Sequence, residues 1–202
     1  MKKSLIIASA LICASSALVA ADHNSAWFVG GEFGGQRLST KATVDIAGVG
    51  SENESDSTTA TYESLKFGKY LPYGRVYGAI SHQNEKDDFA STTYGLGYDY
   101  LFKNQSAITP FVGAFVGYTK AKISGETKAD FEANGLNVDA PKGWSYGLGL
   151  GAIYSITSSI DLEMGARYLK HNIDDKDTVA PVSVKVEAEH SVQYYLGLSY
   201  NF

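Results

Sequence analysis

The chain finishes on ten residues, Gln193-Tyr194-Tyr195-Leu196-Gly197-Leu198-Ser199-Tyr200-Asn201-Phe202, whose side chains sort by parity. With Val192 included, Tyr194, Leu196, Leu198, Tyr200 and Phe202 share one face of a strand, because successive side chains point to opposite sides. Gln193, Tyr195, Gly197, Ser199 and Asn201 share the other. A soluble protein that left such a strand at an edge would offer other chains an apolar template. A closed barrel in a membrane removes the edge and bathes the apolar face in hydrocarbon. The segment therefore predicts a transmembrane barrel, and the rest of the chain has to supply its partners.

Seven further runs do so. They lie near Ala26 to Leu38, Thr61 to Lys69, Arg75 to His82, Thr93 to Tyr100, Thr109 to Lys120, Ser145 to Ser155 and Ile160 to Tyr168. The sixth is the cleanest, with Tyr146, Leu148, Leu150, Ala152 and Tyr154 alternating with Ser145, Gly147, Gly149, Gly151 and Ser155. In the third, Val76, Gly78 and Ile80 are placed outward. Twenty-one glycines and fourteen tyrosines favour strands and turns over helices. The intervening segments alternate in length. Ser39 to Ala60, His82 to Phe89, Ala121 to Lys142 and His171 to Val182 read as long polar loops; Tyr70 to Gly74, Lys103 to Ala107 and Thr157 to Ser159 read as short turns. Long connections at one end and short ones at the other define an all-β, eight-stranded antiparallel up-and-down transmembrane β-barrel.

The first residues fit an exported precursor. Lys2 and Lys3 precede an apolar stretch from Leu5 to Val19, and Val19-Ala20-Ala21 supplies small residues for cleavage, so residues 1–21 are expected to be a signal peptide and 22–202 the barrel domain. Cys13, the one cysteine, falls inside that leader, and the Ile12 before it is too large for a lipoprotein signal. The mature protein would have no thiol or disulfide chemistry. The net charge of −5 becomes more negative once Lys2 and Lys3 are gone, which argues against nucleic acid as a partner.

Charge placement follows the same logic. Glu32, Lys66, Asp99, Glu163 and Arg167 all fall on lumen-facing positions, where they are expected to form a structural polar network. A Lys or Arg facing lipid at the bilayer midplane would cost about 2–4 kcal/mol. Trp27, Tyr100, Trp144, Tyr154, Tyr168 and Tyr200 stand at strand ends, suited to interfacial girdles.

The run Thr109-Pro110-Phe111-Val112-Gly113-Ala114-Phe115-Val116-Gly117-Tyr118 resembles small eight-stranded outer-membrane proteins of Gram-negative bacteria. So do the Gly-rich run Tyr146 to Ala152, Leu162-Glu163-Met164-Gly165-Ala166-Arg167-Tyr168 and the terminal Leu196 to Phe202. The group comprises the OmpA transmembrane domain, OmpX and the opacity proteins. The resemblance implies localisation in the outer membrane, contact with its lipids and lipopolysaccharide, and assembly by the barrel-assembly machinery. Leu198, Tyr200 and Phe202 would serve as the assembly signal. The sequence ends with the barrel, so the peptidoglycan-binding domain that follows it in full-length OmpA-type proteins is not expected here.

An eight-stranded barrel is filled by its own side chains, so a wide pore is not expected and the working surface is the external loops or the outer wall. An adhesion-like role toward host or environmental surface molecules is the leading reading. The alternatives are a lipid A-modifying enzyme on the same scaffold and a periplasmic lipocalin-like carrier. Catalysis is not expected: adjacent Ser81–His82 and His190–Ser191 point to opposite faces, although His171 and His190 could meet near the external rim. A slot for an acyl chain over Gly95, Gly97, Gly113, Gly117, Gly147, Gly149 and Gly151 would have to escape filling by Phe28, Tyr77, Phe111, Phe115 and Tyr195. No cofactor or metal is expected, since Asp174-Asp175-Lys176-Asp177 lacks the central Gly and distal Glu of a calcium loop.

Overall fold

The computed structural model describes residues 26–46, 50–86, 89–123, 142–179 and 182–202. The expected leader, residues 1–21, lies outside them, as do Asp87, Asp88 and residues 124–141 of the third long loop. Eight strands follow one another: β1 (Trp27–Ile46), β2 (Gly50–Leu71), β3 (Gly74–Lys86), β4 (Phe89–Leu101), β5 (Ile108–Ile123), β6 (Lys142–Ser155), β7 (Ile160–Val179) and β8 (Val182–Asn201). Each pairs with its neighbour in sequence, and β8 returns to β1, closing the barrel. At the seam Trp27 and Phe202 exchange backbone hydrogen bonds of 3.0 and 2.9 Å. The terminal strand therefore has no free edge.

The register sets the strand tilt. Cα partners lead from Trp27 through Lys69, Val76, Tyr98, Ala114, Leu148, Tyr168 and Val192, and re-enter β1 at Arg37, ten residues beyond the start. For eight strands, a stagger of this kind tilts each by roughly 35–45° to the axis and leaves room inside only for side chains. Parity then decides everything else. Leu65, Phe67, Leu96, Tyr98, Val112, Val116, Leu148, Leu150, Met164 and Leu196 are exposed on the outer wall, while Phe28, Tyr77, Phe111, Phe115 and Tyr195 are buried inside. Val76 and Ile80 of β3 face outward as read from the sequence.

Three of the expected loops are corrected: in the one from His82 to Phe89, β3 runs on to Lys86, which pairs with Phe89 at the start of β4. Ser39 to Ala60 is not a loop for most of its length: β1 and β2 stay paired up to Ile46↔Gly50. Similarly, β7 and β8 stay paired to Val179↔Val182, through the expected loop from His171. The cross-pairing of β1 with β8 extends to Ile46↔Val182, so these four strands form one sheet that continues past the barrel mouth. A bulge near Ser39/Thr40 and another near Lys170/Ile173 lie where that sheet leaves the barrel, in keeping with the way bulges bend and twist a strand.

The short turns are locked by local hydrogen bonds. Thr157 Oγ1 accepts from the backbone N–H groups of Ser159 and Ile160 at 3.2 and 3.0 Å. Asn104 Oδ1 accepts from the Ser106 N–H at 2.7 Å, and its Nδ2 donates to the Ile108 carbonyl at 3.0 Å. Such side-chain bonds make tight, self-contained turns of Asn, Ser and Thr.

Candidate functional site

Near the short-turn end the lumen is ionic. Parity on β1, β2, β4 and β7 brings Glu32, Lys66, Asp99, Glu163 and Arg167 inward, each at most 5% exposed. Lys66 Nζ lies 2.8 Å from Glu32 Oε1 and 2.9 Å from Glu163 Oε2, and Arg167 Nη2 is 3.4 Å from Glu32 Oε1. The hub was missed by sequence reasoning. Arg75, at the start of β3, is fully buried and bridges Glu163 Oε2 at 2.7 Å and Asp99 Oδ2 at 2.8 Å. Asp161 is buried below them, accepting from Tyr70 Oη at 3.1 Å and Asn201 Nδ2 at 2.8 Å.

Aromatic rings complete this plug. The Arg75 guanidinium sits 5.3 Å from the centroids of both Phe28 and Phe111. Arg167 lies 5.3 Å from Phe115 and 5.1 Å from Tyr195, and Lys66 Nζ 5.0 Å from Tyr77. A desolvated cation gains from a ring face as well as from its carboxylate. The inward glycines take up the space the rings need. A Cβ at Gly95 would overlap the Phe115 ring, at Gly97 the Tyr77 ring and at Gly151 the Phe111 ring. The slot for an acyl chain considered from sequence is therefore occupied by Phe111, Phe115 and Tyr77.

Toward the opposite end the lumen changes character. Gln193 Nε2 donates to Gln36 Oε1 at 2.8 Å, and Gln36 Nε2 donates to Gln83 Oε1 at 2.9 Å. A chain of hydroxyls and one imidazole continues around the wall: Thr93 to Thr119 (2.8 Å), Thr119 to Ser145 (2.8 Å), Ser145 to His171 Nδ1 (2.7 Å) and His171 Nε2 to Ser191 (2.8 Å). Gln193 joins the two zones, since its Oε1 also accepts from Arg167 Nη1 at 3.1 Å. Inside the ring is a cavity of about 50 Å³ lined by Gln36, Gln83, Thr93, Thr119 and His171, among others. That is room for a water or two.

The histidine pair is a further correction. Lys170, not His171, is the Cα partner of His190, and His171 points into the lumen while the His190 ring stacks on outward Tyr168 at 5.6 Å. His171 does meet a serine, but Ser145 is wholly inaccessible, and the other imidazole nitrogen faces Ser191 rather than an acid. A nucleophile must be reachable by its substrate, and a base must be oriented for it. Leu198, Tyr200 and Phe202 lie exposed on the outer wall, with the last two rings stacked at 6.2 Å.

The outer wall is apolar at mid-height, and aromatic residues ring its two ends. Trp27, Tyr100, Phe102, Tyr154, Tyr200 and Phe202 stand at the short-turn end, and Tyr94, Trp144, Tyr146, Tyr168 and Tyr194 toward the mouth. Glu63 is exposed among the latter group, opposite His82, an outward charge on β2 that the sequence reading had not singled out. His82 Nδ1 is 3.1 Å from Thr92 Oγ1. Among the described residues no group of three or more His, Cys, Asp or Glu could hold a metal ion.

Comparison with known proteins places this geometry. A family model for opacity family porin proteins matches residues 35–195. Outer membrane protein PagN of Salmonella typhimurium is 27% identical over 137 residues, covering 63% of this chain; the chain spans 56% of the length of that relative. Among solved structures, OprG of Pseudomonas aeruginosa superposes with a TM-score of 0.68 at 16% identity, covering 91% of this chain and 99% of OprG. Neisserial surface protein A gives 0.55 at 19% identity, covering 84% and 97%.

Proposed function

Because this chain belongs to the opacity family of porin proteins and resides in the outer membrane, we propose that it acts through its external hairpins as a surface-interaction, adhesion-like protein. The carrying observation is the contrast between a filled lumen and a sheet that rises past the mouth. Arg75, Lys66 and Arg167, each at most 5% exposed, are packed among carboxylates and rings and fill the lower lumen. Meanwhile β7, β8, β1 and β2 continue beyond the aromatic girdle; from Arg37 to Ile46 alone, β1 runs roughly 30 Å at ~3.3 Å per residue. Two fused hairpins form a stiffer platform than loops do, and stiffness lowers the entropy lost when a partner binds. The partners that fit are molecules displayed on host or environmental surfaces.

Catalysis finds no support in the lumen, where both serines in contact with His171, Ser145 and Ser191, are closed to substrate. A periplasmic carrier would keep its leucines inside, whereas Leu65, Leu148, Leu150 and Leu196 are at least 58% exposed.

The test is to replace the distal hairpin, residues 42–55, by a two-residue turn and compare adhesion of bacteria displaying each form to cultured host cells. Adhesion should drop to the level of cells without the protein, with the heat-modifiable gel mobility of the barrel retained. Unchanged adhesion at equal display would refute the proposal.

A further inference from the structure

The outer wall just above the mouth-side aromatic girdle is not uniform. Lys120 on β5, Lys142 on β6 and Lys170 on β7 are all exposed outward, and His190 on β8 and Arg37 on β1 continue the series. Lys120 and Lys142 are direct Cα partners across the β5–β6 ladder. Like charges placed opposite each other destabilise a strand pair, so such a pair needs a reason. Among the described residues no acidic partner is found for Lys120, Lys142 or Lys170. Glu189 is exposed beside His190. Tyr118 and Trp144, packed edge to face at 5.6 Å, lie one outward step below Lys120 and Lys142, and Tyr168 lies one step below Lys170. The other half of the circumference is different: β2 presents Glu63 and Thr61, β3 His82 and β4 Thr92.

Aromatic side chains at a membrane boundary mark the headgroup level. Cations one step beyond them stand where lipid phosphates lie. Cβ atoms of directly opposed residues are about 4.5–5.5 Å apart, close enough for two ammonium groups to donate to one phosphate. We propose that Lys120, Lys142 and Lys170 form a one-sided docking surface for the phosphate groups of the outer-leaflet glycolipid. The inference rests on the outer-membrane placement and not on adhesion, so it survives if the hairpins bind nothing. In the lipid-bound barrel the phosphate relieves the Lys120–Lys142 repulsion. It also fixes which side of the barrel faces a tightly held lipid and which side, β2 to β4, is left to exchange.

The chain has two tryptophans, so Trp27→Phe leaves Trp144, beside Lys142, as a reporter. The full barrel in phosphocholine micelles is titrated with bisphosphorylated lipid A, with the same lipid enzymatically dephosphorylated, and with inorganic phosphate. Lys120→Gln/Lys142→Gln should weaken binding of the bisphosphorylated lipid about tenfold or more, the loss of charge-assisted contacts to one phosphate. Glu63→Gln, on the opposite side, should leave it unchanged. Without lipid A the double variant should melt at a higher temperature than its parent; with lipid A the order should reverse. Equal affinity for parent and double variant would overturn the proposal. So would a lower melting temperature of the variant without lipid, or an equal response to inorganic phosphate alone, which would mark a free-anion site.

Discussion

In the lower lumen, Lys66, Arg75 and Arg167 stand among Glu32, Asp99, Asp161 and Glu163, wedged between aromatic rings. At the mouth, the same barrel wall carries hydroxyls, three glutamines and one imidazole around a small cavity. The two zones make opposite use of burial. A charge removed from water is tolerated only while its partner is present, so every member of the lower plug is conditional on the others. A hydroxyl near a cavity can exchange its partner for a water, so members of the upper ring are individually replaceable. The lower zone should therefore seal and fix the barrel, while the upper zone forms a wettable floor beneath the hairpin sheet.

The sharpest way to break this contrast is Arg75→Leu. The change keeps the side-chain bulk between Phe28 and Phe111 but leaves Glu163 and Asp99 without their shared cation. Removing one partner of a buried pair typically destabilises by about 3–5 kcal/mol. A urea titration of the barrel in vesicles should show a loss of that size. A loss below about 1 kcal/mol would mean that water already reaches the plug, and the two zones would no longer differ.

Gly97→Val should cost less. Its Cβ would fall on the Tyr77 ring, and over-packing a filled interior costs about 1–3 kcal/mol. The same titration reads it, and a neutral outcome would show that Tyr77 can swing aside and that the glycine–ring pairing does not fix the plug.

How much of this could be read from the chain follows from where water lies. In the transmembrane portion one face meets hydrocarbon and the other a packed lumen, so alternation is strong and the outward residues of β4, β6 and β8 were legible one by one. The lumen positions of Glu32, Lys66, Asp99, Glu163 and Arg167 followed from the same parity. Arg75 was not singled out because β3 carries apolar side chains on both faces, Val76 and Ile80 outside, Tyr77 and Ala79 inside. A signal was present nonetheless: once Val76 is placed outward Arg75 must point inward, and three lumen carboxylates against Lys66 and Arg167 called for another cation. The extension of β8 carried an overlooked signal, since Val182, Val184 and Val186 alternate with Ser183, Lys185 and Glu187, whereas those of β1, β2 and β7 were invisible for a different reason. A sheet with water on both sides needs no alternation, and Ser, Thr, Asp and Glu at those positions look like loop.

Ser145→Ala is the mildest change and examines the upper zone directly. It removes the hydroxyl that sits between Thr119 Oγ1 and His171 Nδ1, yet both neighbours keep their other partners, Thr93 and Ser191. A single net hydrogen bond is worth about 0.5–1.5 kcal/mol, and the adjoining cavity gives water access to the freed atoms. The expected loss is therefore about 1 kcal/mol or less in the vesicle titration, at least threefold below that of Arg75→Leu. A loss approaching that of Arg75→Leu would show the ring to be cooperative, and the mouth would then be as rigid a plug as the ionic zone beneath it.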